Sequence, residues 1–235
     1  MRTAVVTGGG TGIGRAVARR LAADGDDVVI VGRRREVLEE TAAGVMRVEV
    51  ADLREPAEVE ALADRLGSVD VLVLNAGGSL ERTGDDLTAT ARMWTEEFRL
   101  NVLTTVLLGE ALLPAMPRPG GRIVAMSSVA ALRGAGSYGA AKAAINSWVT
   151  GTAAAVAADG ITVNAVAPGF VPETEFWAGR LDDAEYQRRL ARVPMGRAGT
   201  VEEIAAAVAY LASPDAGWTT GQVLGVHGGA VLARL

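Results

Sequence analysis

The chain has 235 residues, which fits one large α/β domain better than two small ones. It is 49% apolar and 22% charged with a net charge of −5, which excludes a disordered chain and disfavours a general binder of nucleic acid or anionic membranes. With no cysteine and one histidine, His227, it has neither disulfides nor Cys- or His-clustered metal sites, so we expect no metal.

Short runs rich in valine and isoleucine alternate with longer helical patterns, and the runs are typical of strands buried on both faces. The predicted strands are Thr3–Thr7, Val28–Val31, Met46–Val50, Val69–Asn75, Arg122–Ser127, Ile161–Ala167 and Gln222–Val226. The predicted helices are Gly12–Asp24, Arg34–Thr41, Pro56–Leu66, Met93–Leu113, Tyr138–Ala158 and Val201–Leu211. This alternation predicts a single α/β domain over 1–235, a Rossmann-like doubly wound parallel sheet of about seven strands with helices on both faces. Ligands of such sheets bind at the carboxyl ends of the strands.

The stretch Val171–Gly196 interrupts the alternation, with aromatic and charged residues and only a short helical pattern around Asp182–Arg192. Long irregular segments in compact domains are usually lids or binding loops. We interpret 171–196 as a substrate lid, the alternative being a simple surface excursion.

The sequence gives no sign of a membrane span or of a targeting leader. The longest strictly apolar run, Ile204–Ala212, has nine residues, against roughly 20 for a span. The N-terminus enters a strand pattern with no charged-then-apolar leader. We therefore expect a soluble cytoplasmic protein whose partners include neither a membrane nor a nucleic acid.

A glycine-rich turn follows the first predicted strand, with Gly8, Gly12 and Gly14 in the spacing Gly-x3-Gly-x-Gly and a helix directly after it. Glycine is needed where the chain turns tightly and where backbone approaches a pyrophosphate without an intervening Cβ. The helix N-terminus adds free N–H groups and the positive end of its dipole. Although such turns also end strands for steric reasons, this position favours dinucleotide binding.

The end of the second predicted strand favours NADP(H), with NAD(H) as the alternative. Gly32 is followed by three arginines, where an NAD site usually has an acid that accepts a hydrogen bond from the ribose 2′-OH. A guanidinium suits a 2′-phosphate, and Arg33 is the predicted contact. The alternative is that the three arginines only begin a solvated helix.

Tyr138 and Lys142 lie four residues apart and share one face of a predicted helix, with a rise of about 6 Å between them. A phenol is a poor acid–base group at neutral pH, and we expect the neighbouring ammonium to lower the pKa of Tyr138. Tyr138 then protonates a ketone oxygen or removes an alcohol proton. Lys142 is the only lysine, the other 22 basic residues being arginines, and arginine cannot replace a compact ammonium.

The pattern Thr7-Gly8-x3-Gly12-Ile13-Gly14 together with Tyr138-x3-Lys142 resembles the short-chain dehydrogenase/reductase family, in its 3-oxoacyl reductase-like branch. The likeness extends from Thr3 to Gly229 through six motifs in the expected order. It implies an NAD(P)(H)-dependent oxidoreductase that interconverts a carbonyl and a secondary alcohol of a small molecule.

The resemblance implies four catalytic residues, namely Asn101, Ser128, Tyr138 and Lys142. Asn101 would interrupt its helix and bind a water that relays protons toward Lys142, and Lys142 would also hold the cofactor ribose. Ser128 would bond the substrate carbonyl and steady Tyr138, with Ser127 and Ser137 as alternatives. The loop 129–137 between Ser128 and Tyr138 is shorter than is typical of the family, which leaves the shape of the substrate pocket open.

The resemblance also implies the cofactor contacts. Asp52 would bond the adenine amine, Asn75 would stabilise the sheet beneath the nicotinamide ribose, the Val171 backbone would meet the carboxamide and the Thr174 hydroxyl the diphosphate. The full predicted set is Gly8, Thr11, Gly12, Ile13, Gly14, Arg33, Asp52, Leu53, Asn75, Ala76, Gly77, Tyr138, Lys142, Pro168, Gly169, Val171 and Thr174.

Other interpretations stay open at this point. A catalytically silent nucleotide-binding regulatory or scaffold protein of the same fold is the alternative, and a Rossmann methyltransferase is a weaker one. Family likeness predicts a homotetramer or homodimer built on the helices Met93–Leu113 and Tyr138–Ala158. Phe176, Trp177 and Trp94 line an apolar pocket or belong to the core, and His227 is interpreted as structural.

Overall fold

The computed structural model describes residues 1–232, so the last three residues of the predicted domain lie outside the described part. A seven-stranded parallel sheet has the order β3-β2-β1-β4-β5-β6-β7. Its strands are β1 Thr3–Thr7, β2 Asp27–Gly32, β3 Arg47–Val50, β4 Val71–Leu74, β5 Arg122–Met126, β6 Thr162–Pro168 and β7 Val223–Val226. The strand order reverses between β1 and β4, and ligands of open α/β sheets bind at such a switch point.

The helices of residues 1–232 cover both faces of the sheet. They are α1 Gly12–Ala23, α2 Arg35–Ala42, α3 Pro56–Leu66, α4 Leu87–Phe98, α5 Thr104–Leu112, α6 Val129–Arg133, α7 Gly136–Val156, α8 Asp183–Leu190 and α9 Val201–Ala212. One core layer packs α3, α5 and α7 on the sheet, and the opposite layer packs α1, α2 and α9. The predicted doubly wound α/β fold is therefore confirmed.

The predicted strands agree with the observed ones to within two residues at each end, because each is a short run rich in apolar, often β-branched residues. β1, β2 and β4 to β6 are largely buried, whereas the edge strands β3 and β7 are partly exposed. The predicted helix Met93–Leu113 is wrong at its start, since α4 begins at Leu87. Asp86 is the reason, because its side chain accepts a hydrogen bond from the Ala89 N–H at 2.6 Å and caps the helix.

A five-residue π-helix, Arg99–Leu103, separates α4 from α5, in agreement with the interruption expected at Asn101. The segment expected as a loop between Ser128 and Tyr138 differs from expectation, because it contains α6. The whole helical run Leu87–Ala115 is long and apolar enough to pass for a membrane span by composition, with a third of its most apolar stretch buried. Since α5 packs on the sheet and α4 against α7, we interpret the run as part of the folded domain.

Candidate active site

A cleft of about 790 Å³ lies at the carboxyl edge of the sheet, bounded by the glycine-rich turn, several strand ends and the segment 171–196. The predicted site residues that line it are Gly8, Thr11, Gly12, Ile13, Gly14, Arg33, Asp52, Leu53, Asn75, Ala76, Gly77, Ser128, Tyr138, Lys142, Pro168, Gly169 and Thr174. Asn101 and Val171 do not line it, because both are buried behind its wall.

The glycine-rich turn leaves no room for side chains. A methyl group at Gly14 would lie 2.1 Å from the Gly8 carbonyl oxygen, and Gly8 and Gly12 have φ of 63° and 49°, the left-handed region that favours glycine. The N-terminus of α1 opens directly onto the cleft through Gly12 and Ile13. Bare backbone, free N–H groups and a positive dipole end fit the diphosphate of a dinucleotide.

Asn75 joins the ends of β1 and β4 at the switch point. Its side-chain amide donates to the carbonyl oxygens of Thr7 and Gly8 at 3.0 and 3.3 Å. The Thr7 hydroxyl in turn accepts from the backbone N–H groups of Asn75 and Ala76, both at 2.9 Å. These bonds hold the floor of the cleft rigid next to the glycine-rich turn.

Arg33 and Asp52 lie at the same end of the cleft, where β2 and β3 finish. Within residues 1–232, Arg33 is exposed and makes no side-chain hydrogen bond or ion pair, so its guanidinium is available to a ligand. Asp52 is already engaged, because Arg54 donates to its carboxylate at 2.5 to 3.2 Å and lowers the pKa of Asp52 to about 2. Arg54 also lines the cleft, although no sequence pattern had pointed to this residue.

The segment 171–196 contacts the glycine-rich turn and the start of α2 through exposed hydrogen bonds of Glu175. Glu175 accepts from Arg34 at 2.7 Å and from the Thr11 hydroxyl at 3.3 Å. Thr174 packs close to Gly12, although its hydroxyl donates to the Val171 carbonyl oxygen at 3.3 Å. The segment thus contacts the cleft where the diphosphate was expected.

Tyr138 and Lys142 project from the first turns of α7, and the Lys142 ammonium lies 5.8 Å from the centroid of the Tyr138 ring. Burial lowers the pKa of Lys142 to about 8, and its ammonium donates to the Met126 carbonyl oxygen at 2.9 Å. The expected direction for Tyr138 is wrong, since burial raises the pKa of Tyr138 to about 12. Removing the phenol from water disfavours the phenolate more than its surroundings favour it.

The two serines after β5 have different surroundings. Ser128 lies beside Tyr138 and lowers the pKa of the tyrosine against the effect of burial. Its hydroxyl also caps α6 by accepting from the Ala130 N–H at 3.1 Å. The Ser127 hydroxyl is buried with no partner among the described residues. Ser128 is thus the serine placed beside Tyr138.

Asn101 occupies the π-helix, so the helix is interrupted at this residue. Its amide nitrogen donates to the Gly78 carbonyl oxygen at 2.9 Å, the Glu97 carboxylate at 2.9 Å and the Glu97 carbonyl oxygen at 3.1 Å. The Asn101 side chain therefore positions its neighbours. The water expected at Asn101 stays a prediction. Glu97 is a residue that the sequence reasoning missed, because a glutamate on an amphipathic helix usually faces solvent.

Aromatic side chains form one wall of the cleft beside Tyr138. The Phe176 ring lies 5.4 Å from the Tyr138 ring and 5.0 Å from the Trp177 ring, measured between centroids, and Arg189 lies over Trp177. Trp94 is elsewhere, 45% exposed on α4. Only two of the three aromatic residues expected at the pocket therefore reach it.

His227 packs against Gly169 and Gly225 outside the cleft lining. Across residues 1–232, no group of three or more His, Cys, Asp or Glu side chains is arranged to hold a metal ion.

The fold and the cleft define a protein of the short-chain dehydrogenase/reductase family of oxidoreductases, and the chain belongs to that family. A family model described as enoyl-(acyl carrier protein) reductase matches residues 8–231. The chain is 37% identical to the 3-oxoacyl-(acyl-carrier-protein) reductase FabG of Escherichia coli (strain K12), with 97% of this chain and 96% of the relative covered. It is 36% identical to nodulation protein G of Rhizobium sp. (strain N33), with 98% and 97% covered.

Solved structures agree with this assignment. A short-chain type dehydrogenase/reductase from Mycobacterium ulcerans superposes with a TM-score of 0.91 at 31% identity, over 99% of this chain and 90% of that one. Levodione reductase superposes with a TM-score of 0.87 at 32% identity, over 97% and 96%.

Proposed function

We propose that the chain is an NADP(H)-dependent reductase that interconverts a carbonyl and a secondary alcohol, with Tyr138 as the general acid–base group. The observation that carries this proposal is the placement of Tyr138, Ser128 and Lys142 together in one cleft that begins at a glycine-rich turn. The cofactor supplies or accepts a hydride at its nicotinamide ring. The chain has to bind it, orient the carbonyl and move one proton.

Holding the cofactor falls to residues along the whole cleft. The backbone of Gly8, Gly12 and Gly14 and the N-terminus of α1 fit the diphosphate, and the unpaired Arg33 fits a 2′-phosphate. Lys142, which lines the cleft, would hold the ribose hydroxyls of the cofactor. The NAD(H) alternative keeps every contact except that of Arg33.

In the reductive direction, Ser128 donates a hydrogen bond to the substrate oxygen, and Tyr138 gives that oxygen its proton as the carbonyl carbon receives the hydride. A pKa of about 12 keeps the phenol protonated at neutral pH, which is the form that reduction needs. The proton that Tyr138 loses is replaced through its neighbours. In the oxidative direction, the phenolate oxygen of Tyr138 removes the alcohol proton.

The substrate is a small carbonyl compound or its alcohol, and 3-oxoacyl thioesters deserve the first trial because relatives are named as 3-oxoacyl reductases. The segment 171–196 closes over the substrate, supported by the contact of Phe176 with Tyr138 and by the bridge from Glu175 to Arg34. The protein is a cytoplasmic homotetramer or homodimer built on the helices 93–113 and 138–158 in this proposal. Such an interface would cover the partly exposed apolar residues Trp94 and Leu103.

Steady-state turnover tests the proposal. The purified chain is assayed with 3-oxoacyl thioesters and simple ketones against NADPH and NADH, by following the loss of the reduced nicotinamide. We expect turnover with NADPH that disappears in the absence of the ketone. Tight cofactor binding without turnover on any carbonyl would favour the catalytically silent alternative.

A further inference from the structure

Glu97, in the last turn of α4, is a fully buried acid with an exposed fraction of 0%. Its carboxylate accepts from the Leu80 N–H at 2.8 Å and from the Asn101 amide at 2.9 Å. The Ser79 side chain lies close to the carboxylate and lowers its pKa against the effect of burial. Burial raises the pKa of Glu97, and these donors act in the opposite direction, toward its ionised, acceptor-only form.

These bonds hold the segment Gly77–Ser79, which follows β4 and lines the cleft. The Asn101 side chain binds both backbone polar groups of Gly78. It accepts from the Gly78 N–H at 3.2 Å and donates to the Gly78 carbonyl oxygen at 2.9 Å. Glu97 in turn fixes the Asn101 amide. A methyl group at Gly77 would lie 2.6 Å from the Asn101 side-chain oxygen and 3.4 Å from the Lys142 ammonium, so this wall directly adjoins Lys142.

Glu97 also acts on the charge of Lys142. The cations that act on Glu97 are Lys142 from α7 and Arg180 from the segment 171–196, and both oppose the rise that burial gives to the pKa of Glu97. In return, Glu97 raises the pKa of Lys142 against the effect of burial. The hydrogen bond from Lys142 goes to a neutral carbonyl oxygen, and Glu97 is the acid whose charge acts on the ammonium.

Resting on the proposed function, we propose that Glu97 is a positioning residue for the reaction. Its carboxylate fixes Asn101 and the cleft wall Gly77–Ser79, and it is the buried counter-charge that keeps Lys142 cationic beside Tyr138. Glu97 does not touch the reacting atoms itself.

The test compares Glu97→Gln with its neighbour Glu96→Gln. Glutamine keeps the size of the side chain but removes the charge. It also places its own N–H donors next to the Leu80 N–H and the Asn101 amide, which are donors themselves. Glu96 is the matched control because its side chain is 40% exposed and pairs with Arg99 at 3.7 Å. We expect kcat in Glu97→Gln to fall about ten- to a hundredfold, since small displacements of supporting groups have effects of that size. Glu96→Gln should retain wild-type kcat.

The ionisation of Lys142 gives a second measurement that requires no turnover. Because Lys142 is the only lysine in the chain, ¹³Cε-lysine labelling gives a single side-chain resonance whose pH titration reports this residue alone. We expect the resonance to titrate at lower pH in Glu97→Gln than in the wild type, because the ammonium has lost its counter-charge. In Glu96→Gln it should titrate as in the wild type.

Glu97→Asp separates charge from position, and it replaces Glu97→Gln in the comparison if the latter does not fold. Its carboxylate is withdrawn from Asn101 but stays near Lys142, so we expect a reduced kcat with a nearly wild-type Lys142 titration. An unchanged kcat in Glu97→Asp, or an unchanged Lys142 titration in Glu97→Gln, would overturn the inference. A failure of the proposed function looks different, because the wild type itself would then bind cofactor without turning over any carbonyl.

Discussion

The two ends of the cleft place similar charged groups in opposite surroundings. At the catalytic end, Lys142 and Glu97 are 4% and 0% exposed. At the end formed by β2 and β3, the side chains of Arg34 and Glu175 are paired at 2.7 Å but 60% and 55% exposed. Burial shifts the ionisation of the first pair, whereas water and salt screen the second.

This difference separates two ways of using charge. At the buried end, burial shifts the pKa values of Tyr138 and Lys142, so we expect single changes there to affect the proposed chemical step. At the exposed end, each ion pair contributes little by itself, and selectivity depends on which sign of charge meets the cofactor. We therefore expect the effects of substitutions to decrease from the catalytic end to the exposed end.

The largest expected effect is that of Tyr138→Phe. The ring and its contact with Phe176 remain and only the hydroxyl is lost, so we expect turnover to fall about 10²–10⁴-fold, the usual contribution of a general acid–base group. Cofactor affinity should stay within a few-fold of wild type in a fluorescence titration. Tyr210→Phe is the control, since Tyr210 is 48% exposed on α9. Near-wild-type turnover in Tyr138→Phe would remove Tyr138 from the mechanism.

The pH dependence of alcohol oxidation distinguishes the burial effect from the effect expected of the Tyr138–Lys142 pair. Oxidation needs the phenolate, and a pKa of about 12 leaves Tyr138 mostly protonated through the neutral range. As pH rises, the phenolate fraction of Tyr138 increases. We therefore expect kcat/KM for oxidation to continue to rise above pH 8, which is about the pKa of Lys142. A plateau below pH 8 would mean that the ammonium dominates over burial after all.

The pKa of Tyr138 shifts in the direction opposite to the expected one, because the shift depends on burial that local sequence patterns do not reveal. The strands and the glycine-rich turn were predictable because their signals are local: β-branched runs and glycine spacing. The start of α4 had a usable signal in Asp86, a residue type favoured at helix N-termini. The burial of Glu97 and of Tyr138 had no such local signal in the sequence. Both depend on distant segments, Gly77–Ser79 and 171–196, that fold over them.

The candidate site also divides into features that have a sequence signal and features that depend on distant or flexible side chains. Spacing brought Tyr138 and Lys142 onto one helix face, and the ends of parallel strands brought Ser128 to the same edge of the sheet. The engagement of Asp52 by Arg54 was not predictable, because a carboxylate after a strand is equally suited to a ligand or to a neighbouring arginine. Side-chain partners at an exposed edge depend on rotamers that the sequence does not specify.

An intermediate effect is expected from Arg33→Asp at the exposed end. If Arg33 holds the 2′-phosphate, the wild type should prefer NADPH to NADH by roughly ten- to a hundredfold in affinity, the value of a charge-assisted hydrogen bond. Aspartate repels the phosphate and accepts from a free 2′-OH, so the preference should reverse. Arg35→Asp is the control, since Arg35 pairs with Glu39 at 3.4 Å. Titration of each variant with both reduced cofactors decides, and equal wild-type affinities would exclude the role of Arg33.

The smallest expected effect is that of Asp52→Asn, which tests how far the exposed end depends on charge alone. Asparagine keeps the shape of the side chain but removes the negative charge that Arg54 and, at longer range, Arg33 stabilise. The loss of a carboxylate contact with adenine would weaken NADPH and NADH alike, whereas two less neutralised guanidinium groups favour only the cofactor with the extra phosphate. We therefore expect the NADPH preference to rise a few-fold, the size of a partly exposed ion-pair effect. Raising the salt concentration should diminish that rise, while Asp24→Asn, far from the cleft, should leave the preference unchanged. A fall in NADPH preference would show that Asp52 holds Arg54 in its binding position, and that geometry matters more than charge at this end as well.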